Sequence, residues 1–294
     1  MRVVILLSIV LISAFNPALA EPDFVHIKHM AQLSSDTYEA AQQEDLNTTA
    51  LANRLAQQDE VLLHDSVIPN SDVLYFLSEN DQYQTIAIRG TANLNNVIVD
   101  LTVSLQPNKA LGILLHQGFA TAAQQVLEDV RPYLKNNKPI RITGHSLGGA
   151  IAVVLGMLVQ QESLPLAQIT TFGQPKVTNV GGAKQFADLP LIRVVTQDDI
   201  VPLVPPISPL QIRNLDIFWH IGEEIILLSP HQYAITRGLK SAMRATKFTH
   251  KLPSDANLLA HTMAQYLSLL DQLQQSRQAI PYRMDIKLFG ISID

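Results

Sequence analysis

The chain is 294 residues long, 47% hydrophobic and 16% charged. That much apolar material supplies a sizeable core and excludes an intrinsically disordered chain. A net charge of −5 with no basic cluster offers no electrostatic surface for nucleic acid, and the absence of cysteine excludes disulfides, a thiol nucleophile and a cysteine-based zinc site.

The N-terminus begins with one positive charge at Met1-Arg2. An apolar run from Val3 to Phe15, broken only by two serines, follows, and then the small-residue site Ala18-Leu19-Ala20. This is the order of a secretory signal peptide, and the run is too short for a comfortable membrane span. Residues 1–20 are expected to be a leader, with Glu21 the first mature residue and residues 21–294 a single domain. An exported chain without disulfides fits a bacterial periplasmic or secreted protein.

Residues 24–63 read as helical, since "AQLSSDTYEAAQQ" and "LANRLAQQDEVLL" carry apolar residues at helical spacing. Val73–Leu77 and Tyr83–Ile88 read as strands around the polar turn Ser78-Glu79-Asn80-Asp81. "GFATAAQQVLEDVRPYL" reads as a helix, "PIRIT" as a short strand, and "GAIAVVLGMLVQQ" as a helix apolar enough to be buried. "LAQITTFG" and "LIRVVTQ" are further strands, and "NLLAHTMAQYLSLLDQLQQ" is a closing helix. Residues 207–250 match no element that can be assigned. Strands alternating with helices in the second half predict an α/β fold with a mostly parallel sheet, whose site lies beyond the carboxyl ends of the strands.

Between "IRIT" and "GAIAVVLGML" stands Gly144-His145-Ser146-Leu147-Gly148, a G-x-S-x-G pattern in a strand–turn–helix context. A nucleophilic hydroxyl held above a sheet needs a turn with no room for flanking side chains, hence the glycines. A helix starting near Leu147 directs free N–H groups and its positive dipole end at the reacting centre, so the Leu147 N–H is a natural oxyanion donor. Asp198 and Asp199 follow the next strand but one, and both are candidates for the orienting acid. His250 and His261 come later still, in the Ser…Asp…His order. Lys251 disfavours an imidazolium at His250, which sits in a loop marked by Pro253-Ser254-Asp255. His261 leads into an apolar helical face of Met263, Tyr266, Leu267 and Leu270, and a general base requires that kind of rigid placement. No His-Glu-x-x-His or similar spacing suggests a metal site.

Four separated motifs carry a family resemblance that spans roughly residues 70–275: "IAIRGT" (86–91), "HQGF" (116–119), "ITGHSLGGAIA" (142–152) and "RVVTQDDIVPLVPP" (193–206). With them the chain resembles the class 3 lipases, the fungal-lipase-like α/β-hydrolases. The resemblance implies the α/β-hydrolase fold, with a mostly parallel central sheet flanked by helices and a strand–nucleophile turn–helix. It assigns Thr91, after Arg89-Gly90, as the second oxyanion donor. It selects Asp199, which precedes Ile200-Val201-Pro202, as the triad acid, and it agrees with His261 as the base, a histidine followed by a helix with a tyrosine. By the same resemblance His145, His116 and His220 are supporting residues. The segment "ANLNNVIVDL" occupies the family's lid position, and Leu94, Val97, Ile98 and Leu101 fall on one helical face there. Where family members often carry tryptophan, this chain has Val97, which weakens the case for strong interfacial binding.

The expected protein is thus a serine hydrolase that cleaves carboxylic esters of lipids through Ser146, Asp199 and His261 and an acyl-enzyme. The expected partners are a lipid ester substrate and transient contact with a lipid surface; no nucleic acid, cofactor or metal is implied. A phospholipase or acyltransferase with the same triad, and a non-catalytic lipase-like binding protein, are the rival readings.

Overall fold

The computed structural model describes residues 21–39, 41–42, 45–69, 73–90, 105–205, 211, 217–238, 241, 244, 254–282, 286–288 and 291–293. The leader, Thr91, the expected lid segment and His250 lie outside the described residues.

A nine-stranded sheet runs through the molecule. Its strands are β1 (Val61–Ile68), β2 (Val73–Glu79), β3 (Gln84–Ile88), β4 (Ile140–His145), β5 (Leu166–Phe172), β6 (Leu191–Thr196), β7 (Glu223–Ser229), β8 (Gln232–Thr236) and β9 (Gln278–Ala279). They lie side by side in the order in which they occur in the chain. β1 to β3 form an antiparallel meander, and β3 to β7 are parallel neighbours. β8 turns back against β7, and β9 runs parallel to β8. Short antiparallel pairs formed by residues 105–108, 113–116, 178–179 and 218–219 make a small second sheet.

Alternation along the strands supplies both faces of the sheet. Tyr75, Leu77, Ile86, Ile88 and Ile142 belong to one apolar cluster, while Phe76, Ala87, Phe172 and Val194 belong to the other. Helices α3 (Gln117–Val130) and α4 (Leu147–Gln161) cover the first face. The other face is covered by α1 (Phe24–Glu39), by α2 (Thr48–Ala56) and by the C-terminal α7 (Met263–Gln275). α4 is buried from Gly148 to Val159 without a polar face, as its composition predicts for a helix packed on all sides. Each of its buried Val, Leu, Ile and Met side chains contributes roughly 1.5–3 kcal/mol relative to exposure. Among the described residues no helix is long and apolar enough to cross a membrane.

Two expectations are corrected, and one unassigned stretch gains a structure. The helical reading of residues 24–63 extended too far: α2 ends at Ala56, and Val61–Ile68 is the edge strand β1, paired with β2 through a bulge between Leu62 and His64. The unassigned stretch 207–250 contains β7 and β8, a hairpin that extends the sheet. The closing helix is two helices, α6 (Asp255–Ala260) and α7, because Thr262 adopts an extended backbone and caps α7, its side chain accepting from the Gln265 N–H. The short α5 (Val180–Gln185) lies between β5 and β6.

Candidate active site

β4 enters the central sheet between β3 and β5, and its carboxyl end opens on Ser146. Ser146 adopts φ 56° and ψ −127° before α4 begins at Leu147. A left-handed φ at a non-glycine residue is strained, and it persists here because the surroundings over-determine the turn. The flanking glycines show how tightly. A Cβ on Gly144 would sit 2.4 Å from the Gly148 carbonyl oxygen, and one on Gly148 would sit 2.2 Å from the Ile88 carbonyl oxygen. The Ser146 N–H is already used, donating to the Phe172 carbonyl at 2.9 Å. Leu147 is the first helical residue, so its N–H has no intrahelical acceptor.

His261 and Asp199 meet beside this turn. His261 Nδ1 lies 2.8 Å from Asp199 Oδ2, and both side chains are buried. The Asp199 carboxylate also accepts from the Tyr266 hydroxyl at 2.6 Å on Oδ2 and from the Val201 N–H at 2.9 Å on Oδ1. An ionised carboxylate accepts only, so His261 carries its hydrogen on Nδ1 and turns the Nε2 lone pair outward. Asp198 is exposed and takes no part in this contact; its backbone carbonyl accepts from Asn257. Ser146 Oγ and His261 Nε2 are both buried and have no hydrogen-bond partner among the described residues. A hydroxyl and an imidazole without their mutual bond are common in a resting site, where such contacts tighten only with substrate.

Neighbouring side chains hold this arrangement. His261 caps the end of α6, and the preceding Ala260 carbonyl accepts from Thr196 Oγ1 at 2.7 Å, tying the helix end to β6. The Thr196 N–H in turn donates to the Tyr266 oxygen at 3.3 Å. Burial and the adjacent Asp199 push the Tyr266 phenol well above its usual range, so it remains a donor. His220 Nε2 donates to the Pro202 carbonyl at 2.7 Å in the loop after Asp199. His116, at the start of α3, stacks on Phe119 with ring centroids 4.1 Å apart. Two contributors were not legible as such in the sequence: Tyr266, and Tyr38, whose hydroxyl lies 2.9 Å from His145 Nδ1. Tyr266 appeared there only as part of an apolar face and as a family marker, and Tyr38, at the end of α1, gave no signal beyond its place in a helical run. Among the described residues no group of His, Asp and Glu is arranged to hold a metal ion.

A nucleophile turn at the carboxyl end of a central parallel strand, between sequence-ordered strands with helices on both faces, is the architecture of an α/β-hydrolase. Within that class the model of the class 3 lipase family matches residues 85–208 of the chain. Over 153 residues it is 33% identical to a lipase of Rhizopus niveus, a match covering 47% of this chain and 39% of the relative. It is 26% identical over 167 residues to the secreted mono- and diacylglycerol lipase 1 of Fusarium solani, covering 51% of this chain and 49% of the relative. The chain therefore spans less than half the length of either. In three dimensions it is similar to the nonglycosylated Lip2 lipase of Yarrowia lipolytica, with a TM-score of 0.58, 21% identity, and coverage of 73% of this chain and 85% of that one.

Proposed function

We propose that the protein is an exported lipase or esterase that hydrolyses carboxylic esters of lipids through Ser146, His261 and Asp199. One observation carries the reading: a serine hydroxyl on a strained turn and an imidazole Nε2 are both buried without partners, while the far side of that imidazole is held by a buried carboxylate. Ser146 Oγ attacks the acyl carbonyl as His261 Nε2 takes its proton. The Leu147 N–H and that of Thr91, next to Gly90, stabilise the oxyanion of the tetrahedral intermediate. His261 returns the proton to the leaving alcohol, and an acyl-enzyme remains on Ser146. Water then attacks that ester with His261 again as base, releasing the fatty acid and restoring the serine. Asp199 keeps the imidazole in the productive tautomer and stabilises the imidazolium that forms.

The test is hydrolysis of a panel of p-nitrophenyl esters, triacylglycerol emulsions and phospholipid vesicles by the mature protein and by Ser146→Ala. The alanine variant should keep its fold and lose at least ~10³-fold in kcat. Wild-type rates in that variant would reject the triad. The relative rates across the panel separate a lipase from a phospholipase.

Residues 21–294 are read as one hydrolase domain behind a leader cleaved after Ala20. Intact-mass measurement of the exported protein is expected to give a chain that begins at Glu21. Retention of residues 1–20 would instead indicate an anchor.

A further inference from the structure

A chain of hydrogen bonds with one permitted direction crosses the site behind the triad. His145 Nε2 lies 2.6 Å from the His261 carbonyl oxygen, Tyr38 Oη lies 2.9 Å from His145 Nδ1, and the Gly90 N–H donates to Tyr38 Oη at 3.1 Å. A carbonyl can only accept, so His145 carries a hydrogen on Nε2. Burial, and secondarily the neighbouring His261, hold His145 well below the ordinary histidine range. Its ring is therefore neutral, and Nδ1 bears a lone pair. Tyr38 must donate to that lone pair, and burial pushes its phenol upward and keeps it protonated. The Tyr38 oxygen is then left to accept from Gly90.

The ends of this chain are the parts that the proposed chemistry needs in register. Gly90 precedes Thr91 at the end of β3, His145 precedes Ser146, and His261 is the base. The His261 carbonyl is available because α6 stops there, leaving its last carbonyls without helical donors. The packing is equally close. A Cβ on Gly90 would fall 2.4 Å from Tyr38 Oη, 2.5 Å from the His145 carbonyl oxygen and 3.1 Å from Ser146 Cβ. The rings of His145 and His261 lie with centroids 4.4 Å apart.

We propose that Tyr38 and His145 form a positioning relay, pivoting on the Tyr38 hydroxyl, that fixes the end of the oxyanion strand, the nucleophile turn and the backbone of the base in one arrangement. The relay rests on the hydrolase reading above, and neither residue touches the reacting atoms. It has a second consequence. His145 is already bonded at both ring nitrogens, so it cannot share the proton that His261 takes from Ser146. That proton stays on Nε2 of His261, where the leaving alcohol needs it.

Tyr38→Phe keeps the ring and deletes the pivot. Misplacement of reacting groups by fractions of an ångström costs up to about 10²-fold, so kcat on a soluble p-nitrophenyl ester should fall about 10- to 100-fold with KM within about twofold. A kcat within about twofold of wild type overturns the relay. So does a raised KM at constant kcat, which would make Tyr38 a substrate contact. Nitrogen-15 NMR of the histidine rings of the wild-type protein decides the matter if the variant does not fold. His145 should be the neutral Nε2–H tautomer throughout the neutral pH range, and an Nδ1–H tautomer or a titrating ring overturns the proposal. If the wild-type protein neither hydrolyses esters nor is labelled at Ser146 by a serine-reactive phosphonate, the hydrolase reading fails, while the tautomer still tests the relay.

Discussion

Three donors converge on the carboxylate of Asp199: the Val201 N–H on one oxygen, and His261 Nδ1 and the Tyr266 hydroxyl on the other. A buried carboxylate is costly unless its oxygens are paired, and a hydrogen bond to a charged group is worth about 1.5–3 kcal/mol. Tyr266→Phe removes one of these bonds without emptying the ring's place in the core, and it leaves the Thr196 N–H without its acceptor. Unfolding in urea should show a loss of about 1.5–3 kcal/mol at unchanged m. The carboxylate, freed on one side, should orient His261 less well, so kcat should drop about 10-fold with little change in KM. An unchanged midpoint and rate would mean that the phenol does not hold Asp199. The sequence could not reveal this bond. Tyr266 and Asp199 are 67 positions apart, and at that separation the residue reads only as one member of an apolar helical face.

At the scale of elements, legibility followed the strength of local patterning. The strand–turn–helix around Ser146 was readable because a β-favouring run, a glycine-flanked serine and a long apolar helix stand next to one another, and each agrees with the others. β1 was not, because Val61, Leu62 and Leu63 continue the apolar spacing of α2, and His64-Asp65-Ser66 interrupts the strand pattern. Tertiary pairing with β2 decides that segment, and an edge strand can carry those polar residues. The break between α6 and α7 was hidden for a related reason. "LLAHTMAQYL" keeps helical spacing through the break, while the cause is a single Thr262 side chain capping α7. That small event turns a mid-helix histidine into one at a helix end, with its ring against Asp199 and its carbonyl open to His145. For β7 and β8 a family resemblance is a poor guide, because the resemblance rests on motifs that end at residue 206 and the hairpin carries none of them.

Across the whole molecule, the sequential strand order sets the first and last strands at opposite edges of the sheet, and the N-terminal helix meets the C-terminal one because α1 packs over the central strands. α1 and α7 pack on the same face of the sheet, so residues from both ends of the chain close the site from behind. The cores on the two faces also bury several ionisable groups, and these set how the fold responds to pH. Burial, aided by Arg141, pulls His26 down to about 4. His145 and His220 are held well below the histidine range, first by burial and then by His261 for the former and by Arg193 and Lys176 for the latter. In the unfolded chain each titrates near 6.5. Between the folded and unfolded values the unfolded chain binds more protons, so stability falls as the pH drops below that point. One pH unit below it, each neutral histidine has lost about 1.4 kcal/mol of stability, or about 4 kcal/mol for the three, a large share of a domain's 5–15 kcal/mol. The carboxylate of Glu224, depressed far below its usual range by Arg244 and Arg193 against the cost of its burial, adds a loss of the same sign only at more acidic pH. Lys176 extends the slope upward. Burial, with Arg244 and Arg193 nearby, lowers its amine to about 7 against 10.5 for a free lysine, so the unfolded chain again holds the extra proton between those values. Urea midpoints at constant ionic strength should therefore rise steadily from about pH 5.5 to about pH 8.5 at constant m, and His26→Gln should flatten the lower half of that rise. A midpoint that stays level across the range would mean that these groups are charged in the native state and that the cores hold them differently.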